Sequence, residues 1–567
     1  MPVITVDYED LMRLMSRGSG LSIDEKELIK RYSMESILET IPHLGGDATI
    51  KDGKLELEFF PNRPDLFSVE GVARSLRNFL GLQKESQVYR IGKSDIILYC
   101  DEKSVSDVRP HIVGCAVKGL VMSDYAIKSI MDLQEKLHGS LGRKRKKVAI
   151  GVHDLDKVTP PFTYKGVEPR EIAFVPLQSN EKMDLVEILE KHEKGRAYAD
   201  ILEGKERYPI ILDSKGEVLS FPPIINGALT ALTEETRNIF IDVTGTDKQA
   251  VNFALNIIAT SLAERGGHIE SIRLITGDVE EILPHLDMRE RSVNLEYASQ
   301  ILGVKITEKE ASNALSRLGY SILKTTRNEV RVGIPAYRAD IIHEIDVIED
   351  IAIGYGYERI PISLPRALTF GEPREIEKVG ERLRTILVGL GFLEVMTMTL
   401  AGSEEQYTKM CYSEEEMKEI TTTVKNPLTE GINMLRTWLT PSLMVVLRAN
   451  KHRDLPQKIF EIGDVVHKGK NRRKMAFVSI SAKSSFTEAK SLAEAVMRDM
   501  GAKYSFVGKD YPHYIPGRAC AIMLKKDIDG IKEIEIGNFG ELHPKVITSF
   551  ELGYPVIACE IDIECLE

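Results

Sequence analysis

Residues 338–357 read RADIIHEIDVIEDIAIGYGY and combine a helical apolar repeat with five carboxylates. At about 100° per residue, five apolar side chains of this stretch fall within an arc of roughly 80°, as expected of a helix packed against a core. These side chains are Ile341, Ile345, Ile348, Ala352 and Tyr355. The stretch therefore predicts a helix with one buried face, and its carboxylates are expected on the other side.

The carboxylates of this helix are candidates for a metal site. Asp346, Glu349 and Asp350 stand at positions i, i+3 and i+4, where helical side chains are neighbours and can converge. Asp340 precedes the helix, either as its N-cap or as a further ligand. Oxygen ligands suit a hard cation such as Mg²⁺, and His343 has no second histidine or cysteine nearby that would favour a softer metal. An acidic face exposed to water is the alternative, and spacing alone leaves both interpretations open.

The length and composition predict a multidomain protein of the cytoplasm. With 567 residues, and about 150 residues per domain, three or four domains are expected. The first residues contain no basic region followed by an apolar run, and no stretch approaches the length of a membrane span. The sequence therefore predicts neither a secretory signal nor a membrane partner. Six cysteines without a CxxC pair fit reduced thiols rather than disulfides or zinc ligands.

The charge pattern limits how the chain can contact nucleic acid. A formal net charge of -11 argues against a protein whose whole surface binds nucleic acid. Residues 143–147 read RKRKK and form the densest basic run. This run is either a local contact for RNA phosphates or a solvated loop.

Apolar periodicity predicts an α+β multidomain fold with four domains. Residues 1–84 are expected to form an N-terminal α+β domain, in which the turn NRPD precedes a helix over 69–80 that ends at Gly81. Residues 85–275 contain short strands broken by Pro and Gly and predict a compact α+β domain.

The second half of the chain supplies the other two predicted domains. Residues 284–361 predict a small helical or winged module with helices over 295–302 and 308–318, a hairpin near Asn328, and the acidic helix. Residues 364–567 predict a larger domain that begins with a helix around 379–390 and continues with strands such as KIFEIGDVV and KMAFVSISA.

Five segments in order resemble one protein family over essentially the whole chain. They are NRPDLFSVEGVARSL (62–76), SFPPIIN (220–226), IFIDVTGTD (239–247), YRADIIHEIDVIEDIAIGYGYERIP (337–361) and NPLTEGINMLRTWLTPSLMVVLRANKHRDLPQKIFEIGDVV (426–466). Together they resemble the β subunits of phenylalanine–tRNA ligase, of the shorter archaeal and eukaryotic-cytosolic type. Each motif alone is weak, whereas five motifs in the same order are specific.

The resemblance implies a subunit of an aminoacyl-tRNA synthetase, a ligase, that works in an (αβ)₂ heterotetramer. The α subunit of that family carries the site that charges tRNA(Phe) with phenylalanine and ATP. The resemblance also implies that residues 364–567 form a class II synthetase-like antiparallel sheet with helices that has lost its chemistry.

The residues of the C-terminal domain agree with a lost synthetic site. The strand QKIFEIG (457–463) lacks the phosphate-binding arginine of the second class II motif, and no GxGxGxxR occurs in the domain. Without such cations, charge on a transferred adenylate would go unstabilised. This domain therefore fits partner binding, and its apolar residues Trp438 and Leu439 are either interior or interface.

For the acidic helix, the resemblance implies an Mg²⁺ bound where β meets α. The implied ligands are Asp340, Asp346, Glu349 and Asp350, of which spacing already brings the last three together. The remaining alternative is a helix that only belongs to the architecture of the small module and binds no ion.

The resemblance implies a second activity, the editing hydrolysis of Tyr-tRNA(Phe), in the domain of residues 85–275. An apolar pocket that accepts phenylalanine rejects an added hydroxyl only about 10²-fold, so a second site must hydrolyse the misacylated ester. That site needs polar groups that pair with the hydroxyl of tyrosine and stay unpaired with phenylalanine.

Four polar residues near strand ends are candidates for this editing pocket. Ser220 precedes a rigid Phe-Pro-Pro turn that Asn226 closes. Asp242 and Thr244 alternate with Val243, so both side chains emerge on one face of a strand. The structural alternative makes these residues turn residues and strand-end caps.

The predicted mechanism is attack by a water that Thr244 or Ser220 orients, helped by the terminal ribose hydroxyl of the tRNA. No Ser/His/Asp triad can be assembled from linear order, although His153 and Asp154 lie in the same domain. A covalent serine intermediate is disfavoured because no base is evident. Two other functions compete: a scaffold that supports α and tRNA without editing, and an Mg²⁺-dependent phosphohydrolase, for which no phosphate-cradling glycine loop is found.

Overall fold

The computed structural model describes residues 2–17, 23–83, 86–364, 369–429, 431–525 and 533–566. The chain forms two compact units, Met1–Leu364 and Pro365–Glu567. The predicted domain boundary at residues 84 and 85 lies outside the described residues. Within the described ranges, every helix is too short or too polar to cross a membrane.

The first unit begins with a small sheet covered by helices. Its elements are β1 (Val3–Val6), α1 (Tyr8–Met15), α2 (Glu25–Arg31), α3 (Met34–Thr40), β2 (Gly46–Lys51), β3 (Lys54–Phe59) and α4 (Val69–Phe79). The strands pair antiparallel in the order β1-β3-β2. The hydroxyl of Ser68 accepts a hydrogen bond from the amide of Gly71 at the start of α4. Gly81, with a φ of +70°, reverses the chain after α4.

The central region follows with two sheets. Its elements are β4 (Ile97–Cys100), α5 (Glu102–Val105), β5 (His111–Lys118), α6 (Asp124–Gly139), β6 (Val148–Asp154), β7 (Phe162–Val167), β8 (Ala173–Phe174), β9 (Met183–Asp184), α7 (Leu185–Lys191), α8 (Glu193–Tyr198), β10 (Tyr208–Leu212), β11 (Val218–Phe221), β12 (Ile225–Asn226), β13 (Ile239–Gly245), α9 (Lys248–Glu264), β14 (His268–Glu270), β15 (Ile272–Thr276) and β16 (Val279–Leu283).

In the central region, the edge strand β6 of one sheet lies beside the β11–β12 hairpin of the other sheet. Among the described residues, one sheet has the order β12-β11-β10-β7-β4-β15-β16 and the other the order β14-β5-β13-β6. Helix α9 packs against β5 and β13, and the interior of this sheet is apolar. Strand β6 is an edge strand, so the outward peptide groups of its residues need partners from side chains.

The small module that completes the first unit has the predicted layout. It contains β17 (Arg289–Asn294), α10 (Leu295–Leu302), α11 (Glu308–Arg317), β18 (Ser321–Thr326), β19 (Glu329–Ile334) and α12 (Glu344–Tyr355), with the strand order β17-β19-β18. Thr307 and Glu310 form a capping box at the start of α11. The two predicted helices and the hairpin near Asn328 are confirmed.

Helix α12 differs from its prediction at its start and around its axis. His343, and not Asp340, occupies the N-cap position. Ile345, predicted to face the core, is 41% exposed, whereas Asp350, predicted to face outward, is 4% exposed. The buried face is centred on Val347 and Ile351, because neighbouring elements supply polar partners for Asp350 that the helical repeat cannot reveal.

The second unit is a large sheet with helices on both faces. Its elements are α13 (Glu375–Gly389), β20 (Leu393–Glu394), β21 (Leu400–Ala401), α14 (Ser403–Gln406), α15 (Glu414–Met417), β22 (Thr422–Thr423), β23 (Met434–Leu435), α16 (Thr440–Ala449), β24 (Gln457–His467), β25 (Lys470–Ile480), α17 (Phe486–Asp499), β26 (Tyr504–Gly508), β27 (Tyr514–Leu524), β28 (Ile534–Leu542), α18 (Pro544–Ser549) and β29 (Val556–Asp562).

The described strands of the large sheet have the order β20-β24-β25-β29-β28-β27-β26 and are antiparallel, apart from the β20–β24 pair. Alternate residues enter two separate cores: Phe460 and Phe477 face one, and Ile459 and Val478 face the other. The predicted fold class, α+β with a C-terminal antiparallel sheet and helices, is confirmed.

Two of the open questions about the C-terminal domain are answered by its packing. Leu439 is fully buried and belongs to the interior. Trp438 is half-buried against the same core, and its indole nitrogen donates a hydrogen bond to the carbonyl of Gln406 at 2.9 Å. Arg436 pairs with Glu461 of β24 at 2.8 Å, and both side chains are buried. The charge of this arginine is therefore neutralised within the fold.

Candidate functional site

A cavity of about 410 Å³ lies in the central region, between the edge strand β6 and the hairpin of β11 and β12. Ser220, Asn226, Asp242 and Thr244 all line this cavity. The structure therefore brings the four predicted pocket residues together.

The sheet registers explain why these side chains meet. Ser220 and Asn226 are paired across the β11–β12 hairpin. Asp242 and Thr244 stand on β13, and Asp242 is paired with Gly151 of β6. Because residues two apart on a strand point to the same face, Asp242 and Thr244 reach the cavity together.

Asp242 is held by a buried histidine. The Oδ2 atom of Asp242 lies 2.7 Å from Nε2 of His153, and both side chains are almost completely buried. Nδ1 of His153 lies 2.8 Å from the hydroxyl of Thr230, which also donates to the carbonyl of Gly227 at 3.3 Å. The Oδ1 atom of Asp242 has no hydrogen-bond partner among the described residues, so it is available to a ligand.

Thr244 is held by a buried arginine. Nε of Arg109 donates to the hydroxyl of Thr244 at 3.1 Å, and Nη2 donates to its carbonyl at 2.8 Å. Burial lowers the pKa of Arg109 to about 10, which still leaves the guanidinium charged at neutral pH. Since the hydroxyl of Thr244 accepts from Arg109, its own proton is available to a ligand.

Ser220 contributes a polar atom without a partner. Its hydroxyl is buried, lines the cavity and has no hydrogen-bond partner among the described residues. A buried hydroxyl without a partner costs about 1–3 kcal/mol, so a ligand or a water that binds it recovers that energy. Asn226 stands beside it, and its amide makes only a long contact of 3.5 Å with the carbonyl of Val152.

A second set of polar atoms enters the cavity from helix α6. The amide of Gln134 donates to the carbonyl of Ile150 at 2.7 Å, and the amide of Ile150 donates to Nε2 of His138 at 2.8 Å. His138 therefore carries its proton on Nδ1, and burial lowers its pKa to about 4, so the ring is neutral. Oε1 of Gln134 and Nδ1 of His138 have no hydrogen-bond partners among the described residues.

Gly151 makes room for the Asp242–His153 pair. A Cβ atom at this position would lie 2.1 Å from Oδ2 of Asp242 and 2.5 Å from Nε2 of His153. Any side chain there would push the carboxylate and the imidazole away from each other. The glycine is therefore a requirement of the site rather than of a turn.

Sequence reasoning missed five residues of this site: Arg109, Gln134, His138, His153 and Thr230. His153 lies in the predicted domain, and its position two residues after Gly151 on one strand indicates that both residues share a strand face. Gln134 and His138 stand at i and i+4 on α6, so their shared face was a second usable signal. Arg109 and Thr230 come from different segments, and their spacing along the chain carries no signal for their meeting.

The basic run of residues 143–147 divides into buried and exposed side chains. Arg143, Lys144 and Arg145 adopt positive φ angles of 47°, 55° and 67°. Arg145 is buried and donates to the carbonyls of Pro223 and Ile224, at 3.2 and 2.8 Å, so it belongs to the cavity wall. Arg143 and Lys144 are exposed beside the cavity and remain available for a phosphate.

The acidic cluster around α12 contains an arginine. Nη2 of Arg338 lies 2.7 Å from Asp340 and 2.6 Å from Asp350, and the hydroxyl of Tyr320 donates to Asp350 at 2.7 Å. Although burial opposes it, the charge of Arg338 holds the pKa of Asp340 below its usual value. Two of the four predicted metal ligands are therefore paired with one buried guanidinium.

The other two predicted ligands are closer to solvent. Asp346 accepts hydrogen bonds from the amides of Ile342 and His343, at 2.7 and 2.6 Å, and so satisfies the first turn of α12. Partial desolvation and the charges of the neighbouring aspartates raise the pKa of the exposed Glu349. Among the described residues, no three histidine, cysteine or acidic side chains are arranged to hold a metal ion.

Three protein-family models match the chain. The B3/4 domain matches residues 122–275, the tRNA synthetase B5 domain matches residues 291–357, and the phenylalanyl tRNA synthetase beta chain CLM domain matches residues 360–563. The cavity residues from Gln134 to Thr244 lie within the first of these matches, and α12 lies within the second.

Curated relatives match over the whole chain. The phenylalanine–tRNA ligase beta subunit of Archaeoglobus fulgidus is 44% identical over 99% of this chain and 98% of the relative. That of Methanosarcina acetivorans is 42% identical over 100% of this chain and 99% of the relative. A crystal structure of an N-terminal fragment of the beta subunit from Pyrococcus horikoshii is 38% identical, covers 63% of this chain and 100% of the fragment, and superposes with a TM-score of 0.58.

Proposed function

Because this chain belongs to the phenylalanine–tRNA ligase β subunits, and is therefore a subunit of an aminoacyl-tRNA synthetase, we propose that its central cavity hydrolyses tyrosyl-tRNA(Phe). The single observation that carries this proposal is the set of polar atoms inside an otherwise apolar cavity. Asp242 and Thr244 each leave one hydrogen-bonding position open to a ligand, and the hydroxyl of Ser220 has no partner. Such groups favour a side chain with a hydroxyl over one without.

The side chains of the cavity suggest a division of work during ester hydrolysis. Asp242 and Thr244 bind the hydroxyl of the tyrosyl group, since both are fixed by buried partners. Ser220 is left to orient the attacking water, helped by the terminal ribose hydroxyl of the tRNA. A covalent serine intermediate has no support, because no described base contacts the hydroxyl of Ser220.

Alanine at Asp242 or Thr244 tests this function. In a complex with a catalytic α subunit, Asp242→Ala or Thr244→Ala is expected to slow hydrolysis of tyrosyl-tRNA(Phe) by about 10-fold or more, because each removes a charged or fixed hydrogen bond. Charging with phenylalanine should stay at the wild-type rate. The measurement is release of tyrosine from pre-charged tRNA(Phe), together with the steady-state level of tyrosyl-tRNA(Phe).

Thr246→Ala, at an exposed position just beyond β13, is the matched control and should hydrolyse normally. Wild-type hydrolysis in both Asp242→Ala and Thr244→Ala would rule out editing at this cavity. The competing function, a scaffold that supports α and tRNA without editing, predicts that the wild-type complex itself does not release tyrosine.

We further propose that the chain assembles with a catalytic α subunit as an (αβ)₂ heterotetramer, which uses ATP to charge tRNA(Phe). In the second unit, apolar side chains in and around the short edge strand β20, as far as the start of β21, are exposed. They are Val388, Leu393, Met396, Met398 and Leu400, with exposures of 59, 67, 92, 73 and 45%. We call these five residues the apolar strip, and an exposed strip of this kind indicates a binding surface. Methionine side chains adapt their shape to a partner.

We also propose that Mg²⁺ binds at the acidic cluster of α12, through Asp346 and Glu349 first and through Asp340 and Asp350 only where the ion displaces Arg338. Their oxygen-only donor set fits this hard cation, which commonly uses one or two carboxylates and keeps several waters. Glu349 is exposed and unpaired among the described residues, and Asp346 has one oxygen free of hydrogen bonds. Asp340 and Asp350 fit an ion only in competition with Arg338, so Glu349 and Asp346 are the first ligands expected.

Removal of one ligand tests the metal proposal. Mg²⁺ at about 100 times its Kd is expected to stabilise the wild-type chain by about 2.7 kcal/mol, which raises the melting temperature. Glu349→Gln should lose most of this rise, whereas Glu296→Gln, at an exposed acidic position on α10, should keep it. Thermal unfolding with and without MgCl₂ measures the effect, and an equal rise in Glu349→Gln would exclude this ligand set.

A further inference from the structure

We propose that His153 and Arg109 are positioning residues that fix the proton direction of the two groups binding the tyrosyl hydroxyl. Together they make Asp242 a hydrogen-bond acceptor only, and Thr244 a donor only, toward the cavity. This inference rests on the proposed function, because it describes how the same cavity distinguishes a tyrosyl from a phenylalanyl group.

His153 is held between Thr230 and Asp242. Its Nδ1 lies 2.8 Å from the hydroxyl of Thr230, and this contact keeps Nε2 turned toward Asp242. A proton lies on the axis between Nε2 of His153 and Oδ2 of Asp242, which are 2.7 Å apart, because two lone pairs at this distance would repel each other. Whether this proton stays on nitrogen or moves to oxygen, Oδ1 of Asp242 remains unprotonated and can only accept.

The guanidinium of Arg109 carries hydrogen-bond donors and no acceptor. Its Nε donates to the hydroxyl oxygen of Thr244, and its Nη2 donates to the carbonyl of the same residue. The proton of the threonine hydroxyl cannot point toward Arg109, and it makes no other described hydrogen bond. It is therefore directed to whatever fills the cavity.

An acceptor and a donor on one strand face match the two capacities of a phenolic hydroxyl. The phenol can donate its proton to Asp242 while its oxygen accepts the proton of Thr244. A phenylalanyl ring offers neither, and it would leave both buried groups unpaired. The cavity therefore selects the tyrosyl group through the direction of the hydrogen bonds that Asp242 and Thr244 can make.

The surroundings of Asp242 explain why the histidine is needed. The charged and titratable groups that face Asp242 are His153 on β6, Arg109 before β5 and Tyr164 on β7. Cavity walls add Glu135 and His138 on α6. Without His153, Oδ2 of Asp242 loses its described hydrogen-bond partner, and the carboxyl group is free to rotate. Oδ1 would then no longer be held toward the cavity as an acceptor.

The test uses the complete complex with the α subunit and tRNA(Phe) charged with tyrosine, 4-fluorophenylalanine or phenylalanine. The fluorine analogue is close to tyrosine in size but has no proton to donate. The wild-type complex should release tyrosine at least about 10-fold faster than 4-fluorophenylalanine.

His153→Leu is expected to lower the tyrosine to 4-fluorophenylalanine ratio by about 10-fold, because Oδ2 of Asp242 loses its partner. His153→Gln, whose amide can donate to Oδ2, should restore much of the ratio. A wild-type ratio in His153→Leu would overturn the proposal.

If His153→Leu does not fold, Arg109→Lys tests the proposal instead. Lysine keeps the charge but loses the hydrogen bond to the hydroxyl of Thr244. A wild-type ratio in Arg109→Lys would equally overturn the proposal, and a lowered ratio supports it. If the wild-type complex releases no tyrosine, the proposed editing function fails. If it does and the variants match it, only this further inference fails.

Discussion

Replacing Gly151 by alanine is expected to slow hydrolysis of tyrosyl-tRNA(Phe) by about 10²-fold, because small misplacements of binding groups have costs of this size. The new Cβ atom would lie 2.1 Å from Oδ2 of Asp242 and 2.5 Å from Nε2 of His153. These two atoms belong to side chains rather than to the backbone, so they can move and the fold can persist. The movement would separate the buried pair and turn Asp242 away from its ligand.

The measurement compares editing with stability in the same protein. Overpacking of a core costs about 1–3 kcal/mol, so the melting temperature of Gly151→Ala should fall by several degrees while phenylalanine charging continues. Gly139→Ala, at the end of α6, is the control, because no atom lies within 4 Å of its added Cβ. Normal editing in Gly151→Ala would show that the Asp242–His153 pair does not support hydrolysis.

A charge in the apolar strip is expected to prevent assembly with the α subunit. Met396→Glu and Met398→Glu place a carboxylate on side chains that are 92 and 73% exposed, so the isolated chain should fold normally. In an interface the same carboxylate would be buried without a partner, at a cost of several kcal/mol. We expect at least about 30-fold weaker association, and a matching loss of tRNA(Phe) charging at low concentration.

The opposite edge of the same sheet supplies the control. Val507 on β26 is 49% exposed, and Val507→Glu should leave assembly unchanged. Co-purification with the α subunit and size-exclusion chromatography measure the effect. Unchanged assembly of Met396→Glu and Met398→Glu would place the interface elsewhere on the chain.

Much of the local structure could be predicted from the residues alone. The helix after the NRPD turn, the helices of the small module and the strands of the large sheet follow from apolar periods of 3.6 and 2, with capping residues at their ends. The shared face of Asp242 and Thr244 follows from the same alternation. These features depend on neighbours in sequence, which periodicity describes.

The acidic helix shows which feature periodicity cannot predict, namely the burial of a charged side chain. Its repeat predicted an outward Asp350, yet this residue is buried against Arg338 and Tyr320. A carboxylate can enter the core when a guanidinium and a hydroxyl compensate for the loss of water, and those partners come from another part of the chain.

The sequence by itself determined the family, several of the helices and strands, and four polar residues of the cavity. Only the tertiary structure placed His153 against Asp242, Arg109 against Thr244 and Arg338 between two aspartates. The reason is physical: spacing along one helix or strand fixes which neighbours share a face, whereas the proton direction and charge of a buried group depend on partners from distant segments. The apolar repeat of residues 338–357 therefore located a helix, and its packing decided which carboxylates remain free to bind.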